Sequence, residues 1–249
     1  MATISDKAIC IGKRDYSESS QIVTLFGRDH GKISAIAKGS KREKSKFDGG
    51  IDLLTIGEVM FVPAKADASL ATLTEFNLIE PFGKLRNNLL AIQCAQYMAS
   101  LTTDFTEAMD PHQKLYDDFA KSLEMLAQGH QPLNVLVNFE LTLLQEVGMM
   151  PSWHRCCLCD IQLNLTNIYF SSREGGLICR DCEPAIIEKR FVSSPVIQLL
   201  QNPTTIDAAD KAVIFKLHEI LCYHQRETMG KETAIMKFVN TLLKQLCIK

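Results

Sequence analysis

Gln21-Ile22-Val23-Thr24-Leu25-Phe26-Gly27, and shortly after it Lys32-Ile33-Ser34-Ala35-Ile36-Ala37-Lys38, decide how the first third of this chain is read. The first run is strongly apolar and is stopped by a glycine. The second alternates polar and apolar side chains, the period-2 pattern of a half-buried strand. Working outward, Ala8-Ile9-Cys10-Ile11 is a short apolar run upstream. Downstream, Ile51–Leu54 and Glu58–Val62 form one further run broken by Gly57, and Leu70–Leu78 forms the last. Glycines and charged clusters separate these runs at the spacing of a small barrel. Five strands within about eighty residues leave no room for crossover helices, which predicts a five-stranded OB-fold barrel over residues 1–80. An SH3-like barrel or a small sandwich is the alternative.

The period changes after Pro81. Leu85, Leu89, Ile92 and Gln96-Tyr97 follow helical spacing. Pro111 stands where a first helical turn tolerates a missing N–H, and Leu115, Phe119, Leu123 and Leu126 make the stripe that follows. Leu133, Leu136, Val137, Leu141, Leu144 and Val147 make a third stripe, closed by Gly148 and Pro151. Ser193-Ser194-Pro195 reads as the cap and first turn of a short helix. Two longer helices are predicted from about Ala208 to Met229 and through Ile235–Leu246. These stripes read as bundle core. The fold class is therefore α+β: the barrel, then an α-helical domain over residues 81–249, with one insertion at about 152–190.

That insertion carries Cys156-x2-Cys159 and Cys179-x2-Cys182. Each pair brings two thiolates to one point, and two pairs make the four-sulfur tetrahedron that Zn²⁺ prefers. Four sulfurs close the coordination sphere, so the expected Zn²⁺ is structural, in a zinc ribbon. Gly175-Gly176 suits a tight ribbon turn. Buried reduced thiols are the competing reading. Disulfides are disfavoured by the odd count of nine cysteines and by an N-terminus without the basic start and apolar run of a signal peptide, a reducing, cytoplasmic context. Cys157 reads as a spectator and His154 as a surface histidine. Cys10, Cys94, Cys222 and Cys247 sit among apolar residues and read as core.

Apolar residues are 46% of the 249, enough for a full core, and no apolar run is long enough to span a membrane. The net charge of −2 hides an asymmetry. From Arg28 to Lys46 seven basic residues face two acidic ones, a net +5, leaving −7 for the remainder. Phosphate-loop, zinc-protease and nucleophile-elbow motifs are missing, and the six histidines show no paired catalytic spacing, so no enzyme is predicted. Asp117-Asp118 reads as a solvated helix face. The candidate binding element is Gly39-Ser40-Lys41-Arg42-Glu43-Lys44-Ser45-Lys46, a loop between strands whose cations can neutralise phosphates. Lys32, Lys38, Lys41, Arg42, Lys44 and Lys46 are the candidate DNA contacts, with Arg14 a weaker addition. Tyr16, Phe26, Phe47 and Phe61 are candidate stacking aromatics, most of them expected in the core. A solvated hairpin loop is the bland alternative.

The chain resembles the RecO family of bacterial recombination mediators over nearly its whole length. The resemblance rests on Tyr16-x-Glu18, His30-Gly31-Lys32, Ala37-Lys38-Gly39 with Lys41-Arg42-x-Lys44-Ser45, and Leu73-Thr74-Glu75. It continues through Phe139-Glu140-Leu141, Leu144-x3-Gly148-x2-Pro151, the two cysteine pairs, Phe170-Ser171 and Gly175-Gly176-Leu177. It implies an OB barrel, a helical domain and an inserted zinc ribbon. It also implies binding of single- and double-stranded DNA, annealing of complementary strands, and cooperation with RecR in loading RecA onto DNA coated by single-strand-binding protein. It implies no catalytic turnover and a cytoplasmic, nucleoid-associated location. An adaptor whose barrel and helices bind only proteins is the second function class.

Overall fold

The computed structural model describes residues 2–42, 47–48, 51–64, 69–163 and 168–247. The chain forms two compact units, Met1–His130 and Gln131–Lys249.

The first unit holds β1 (Ile4–Asp15), β2 (Gln21–Gly27), β3 (Gly31–Ala37), β4 (Phe47–Asp48), β5 (Ile56–Val62) and β6 (Ala71–Glu80). β1 pairs antiparallel with β2 on one side and β5 on the other. β2 continues to β3 and β5 to β6, and β3 meets β6 in parallel through Ala35–Ala37 and Ala71–Leu73. That last pairing closes five strands into a barrel and removes the sheet's free edges. β4 adds a short parallel rung outside β6. Alternation turns Val23, Leu25, Ile33, Ala35, Phe61 and Phe76 into one buried core.

Two expectations about the strands change. Residues 51–54 are not strand but a bend in which Leu54 takes a left-handed φ of 63° and its N–H donates to the Cys10 carbonyl. Gly57 does not break β5; it lies within it. A Cβ there would stand 2.6 Å from the ring of the fully buried Phe76, so the glycine makes room for a core aromatic.

A short 3₁₀ turn, α1 (Leu89–Phe105) and α2 (Gln113–Ala127) complete this unit. The Asn88 side chain caps α1 by accepting from the Ala91 N–H. The turn His30-Gly31-Lys32 fastens the barrel to these helices. Asp6, buried, accepts from the backbone N–H of Asp29 and His30 and from His30 Nδ1 at 3.0 Å. Lys32 Nζ donates to the carbonyls of Thr103 and Thr106, at the end of α1 where helix carbonyls lack partners. Gly31 has φ +66°, and a Cβ there would lie 2.0 Å from the Asp110 carbonyl oxygen. Gly31→Ala therefore combines backbone strain with a main-chain clash and is expected to cost about 3 kcal/mol in chemical unfolding. A loss under about 1 kcal/mol would show that the α1–α2 connection yields instead. Nearby, Arg28 makes a two-pronged ion pair with Asp117 at 2.8 and 2.9 Å, so Asp117 is a paired group rather than a merely solvated one.

The second unit contains α3 (Pro132–Glu146), a three-stranded sheet of β7 (Ile168–Ser171), β8 (Gly176–Ile178) and β9 (Arg190–Val192), then α4 (Ser194–Gln201), α5 (Lys211–Met229) and α6 (Ala234–Cys247). α5 packs against α3, α4 and α6. β7 lies between β8 and β9. Phe170 on β7 is fully buried and touches Trp153 on one side and Tyr223 and His224 of α5 on the other. The sheet is thereby seated on the bundle. Among the described residues no helix is long and apolar enough to cross a membrane.

Candidate functional site

The Sγ atoms of Cys156, Cys159, Cys179 and Cys182 lie within 4.8 Å of one another. Two backbone turns bring them there. After Cys156 the chain reverses through Asp160, at φ 58°, with the Asp160 N–H donating to the Cys156 carbonyl and the Cys156 N–H to Ile161. After Cys179 the Glu183 N–H returns to the Cys179 carbonyl. The two turns are held in register because Cys157 N–H donates to Leu177 and Leu177 N–H to Ser152. Gly176 is needed at this crossing, since a Cβ would meet the Ser152 carbonyl at 2.9 Å. Gly175, at φ +72°, makes the turn from β7 to β8.

The cluster's chemistry fits a divalent cation. Cys159 Sγ and Cys179 Sγ are 3.8 Å apart, too far for a disulfide and about the edge of a tetrahedron with Zn–S bonds of about 2.3 Å. Burial opposes ionisation of Cys156, but N–H groups of Cys179, Cys159 and Leu158 outweigh it and lower its thiol to about 6. Sulfur crowding from Cys159 and Cys179, with burial, lifts Cys182 to about 12. The Cys156 thiolate forms readily while Cys159 and Cys182 resist ionisation; a cation among them removes that conflict. Cys157 lies outside the cluster, its thiol raised to about 11 chiefly by burial, and His154 is exposed. Both therefore read as bystanders.

The basic segment is described only in part: Lys44 and Lys46 fall outside the described residues. Lys38, Lys41 and Arg42 are all exposed. Gly39, at φ +72°, starts a turn closed by the Arg42 N–H donating to its carbonyl. This turn is tied to the one joining β1 and β2. Gly39 N–H donates to Ser20 Oγ, Lys41 N–H to the Ser19 carbonyl, and Ser40 Oγ–H to Gln21 Oε1. Lys41 Nζ pairs with Asp15 at 2.9 Å, and that contact lowers the Asp15 pKa. The exposed pair is worth little and leaves Lys41 free to change partner. Arg14 and Tyr16 stand on the same rim, and Tyr16 is 63% exposed, whereas Phe26, Phe47 and Phe61 are buried. Lys32 stands apart, half-buried on the α1 carbonyls.

A third constellation escaped the sequence reading. His218, fully buried on α5, places Nδ1 2.9 Å from Glu140 of α3 and Nε2 2.7 Å from Asn240 Oδ1 of α6. Cys222, one turn further along α5, puts Sγ 3.4 Å from His218 Nε2 and 3.5 Å from Asn240 Oδ1. Burial disfavours charge on the ring, but Cys222 and Glu140 beside it raise the His218 pKa well above the ordinary value. The legible signal was His218-x3-Cys222, which stacks two ligand-type side chains on one helix face.

The architecture defines a class: a small closed barrel joined to a helical bundle that carries a four-cysteine ribbon. Comparison with known proteins gives the family. The models for "Recombination protein O N terminal" and "Recombination protein O C terminal" match residues 1–82 and 86–221. The DNA repair protein RecO of Rhodopirellula baltica is 31% identical over 212 residues, 81% of this chain and 78% of that protein. Those of Clostridium novyi and Halalkalibacterium halodurans are 32% and 31% identical, over 74% and 78% of this chain and 70% and 75% of their own lengths. The chain belongs to the RecO family of DNA repair proteins.

Proposed function

We propose that this chain is a non-enzymatic DNA-binding protein of recombinational repair. It binds single- and double-stranded DNA, anneals complementary strands and, with RecR, helps load RecA onto DNA coated by single-strand-binding protein in the bacterial cytoplasm. The observation that carries the DNA reading is the rim on which Arg14, at the end of β1, and Tyr16, Lys38, Lys41 and Arg42, on two hydrogen-bonded turns, stand exposed. Cations on a closed barrel can track a phosphate backbone without reading bases. Lys44 and Lys46 extend the proposed contact set, while Lys32 serves the fold through the α1 carbonyls. The roles with RecR, RecA and single-strand-binding protein rest on the sequence resemblance. Cys156, Cys159, Cys179 and Cys182 are the proposed ligands of a structural Zn²⁺ in the ribbon, and with four sulfurs they leave no position for a reacting water.

Strand annealing, with and without single-strand-binding protein on the DNA, tests the mediator role directly. Acceleration in both arms supports it. DNA binding without annealing in either arm would sink the mediator role, and no DNA binding at all would leave a protein adaptor as the better account. Within the rim, Tyr16 offers a ring face to a base. Tyr16→Ala is expected to weaken single-strand binding about tenfold with an unchanged salt slope, since stacking contributes about 1–3 kcal/mol per base and releases no counterion. Unchanged affinity in fluorescence anisotropy would remove Tyr16 from the interface.

A further inference from the structure

We propose that the second unit carries its own single-stranded DNA site, separate from the barrel rim, in which Arg190, with Lys216 in one adjoining cleft and Lys244 in another, binds the phosphates of the complementary strand during annealing.

The site is built around one aromatic ring. Arg190, on β9, lays its guanidinium over the Tyr223 ring of α5 at 4.0 Å, and Arg226, further along α5, stands 5.5 Å from the same ring. Stacking orients a guanidinium without engaging its N–H donors, so the fork stays open to a phosphate. Among the described residues Arg190, Lys216 and Lys244 form no ion pair, and all three are exposed. Arg226 pairs with Glu227 at 2.9 Å, a partly exposed contact that exchanges readily for a phosphate.

Two clefts meet at Arg190. One, of about 260 Å³, has Arg190, Arg226 and Lys244 on its wall together with Glu219 and Glu232. The other, of about 420 Å³, shares Arg190 and Glu219 and adds Lys216 and Phe191. Four cations against two carboxylates leave this surface at +2, in a stretch, residues 131–249, whose twelve basic and twelve acidic side chains otherwise balance. Glu232 is held by Lys237 at 3.3 Å, which leaves Glu219 as the carboxylate that opposes an anion here.

The layout suits a single strand. Lys216, Glu219, Tyr223 and Arg226 recur at helical spacing on one face of α5. From Lys216 to Arg226 that face runs about 15 Å, the length of several phosphates. Phe191, beside Arg190 on β9, is 59% exposed and offers its ring to an unpaired base. A duplex keeps its base faces stacked inside and has no use for such a ring. The proposal rests on the reading that this chain binds and anneals DNA, and it deepens that reading. With one strand on the rim and the other on β9 and α5, one chain holds both reactants, which raises the local concentration of each complement.

Titration of the full-length protein with an unstructured oligonucleotide of about ten nucleotides, within the site size of one OB barrel, counts the sites. Two equivalents per chain are expected, one tight and one weaker. Arg190→Ala combined with Lys244→Ala should keep the first equivalent at its affinity and slow annealing. It should weaken the second equivalent about 25-fold at about 0.1 M salt, the loss of two phosphate contacts. Glu219→Gln should tighten the second equivalent about two- to fivefold, a gain that a damaged fold does not produce. If the double variant does not fold, Lys244→Ala alone and Glu219→Gln decide. A single equivalent in the wild type, an unchanged second equivalent in the folded double variant, or no tightening in Glu219→Gln overturns the site. No oligonucleotide bound at all would overturn the DNA reading and this site with it, an outcome distinct from loss of the second equivalent alone.

Discussion

Changing Lys41, Arg42, Lys44 and Lys46 together to alanine is expected to flatten the salt dependence of single-stranded DNA binding and to weaken it by two to three orders of magnitude at about 0.1 M salt. Each phosphate neutralised on a single strand contributes about 0.7 to the slope of log K against log salt. About five contacts give a wild-type slope near −3.5, or about a hundredfold loss between about 50 and 200 mM salt, and four fewer cations remove most of it. The Lys41–Asp15 ion pair reinforces the effect, because the exposed Asp15 is left without its lysine and repels the backbone. Arg14 and Lys38 remain and supply residual affinity. The fold should be unaffected at Lys41 and Arg42, whose side chains are exposed and whose turn is built from backbone bonds. Binding that keeps its wild-type slope in the variant would move the interface elsewhere. Alanine at Lys32 is not an equivalent control, since it removes a donor from the α1 carbonyls and lowers stability itself.

The barrel was legible because its signals are local. Alternation in Lys32–Lys38 and the apolar run Gln21–Phe26 each state which face is buried, and the structure pairs them residue by residue. The misreadings came where a distant residue sets the local rule. Gly57 reads as a breaker, yet it is a strand residue because Phe76 fills the space above it. Asp117 is exposed as its sequence suggests, but its ion pair with the distant Arg28 leaves no local signal. His30-Gly31-Lys32 supported the family resemblance without disclosing its use: each of the three residues meets Asp6, Asp110 or the end of α1.

The candidate sites divide along the same line. Paired CxxC spacing encodes a convergence of four sulfurs within the sequence itself, and the structure shows that convergence. The rim is half encoded: the cations are readable, but their hydrogen-bonded alliance with the turn carrying Tyr16 is tertiary. Glu140 and His218 are 78 residues apart, and no periodicity joins them. Only the α5 half of that constellation has a sequence signature.

Cys179→Ser is expected to abolish zinc retention by the ribbon and to forfeit local folding free energy on the order of 10 kcal/mol. Cys179 is buried, its Sγ faces Cys159, and its N–H donates to Cys156 Sγ, so one substitution removes a ligand and disturbs a second. The ribbon's own sheet is small, with one four-residue strand and two of three residues. So small a sheet does not persist alone. The damage should reach α5 through Phe170, which touches Tyr223 and His224, and through Ser172 Oγ, 2.7 Å from His224 Nδ1. Residues 1–130 form their own compact unit with their own barrel core, and nothing in that core depends on sulfur–metal bonds. Two observations should therefore separate in one preparation. Thermal melting should show an early transition from residues 131–249, while single-strand binding by the rim keeps its affinity and salt slope. Chelation of the wild type at elevated temperature should reproduce both. Full zinc content with an unchanged melting curve would refute a structural metal, and parallel loss of DNA binding would show that the ribbon, and not the barrel rim alone, holds the strand.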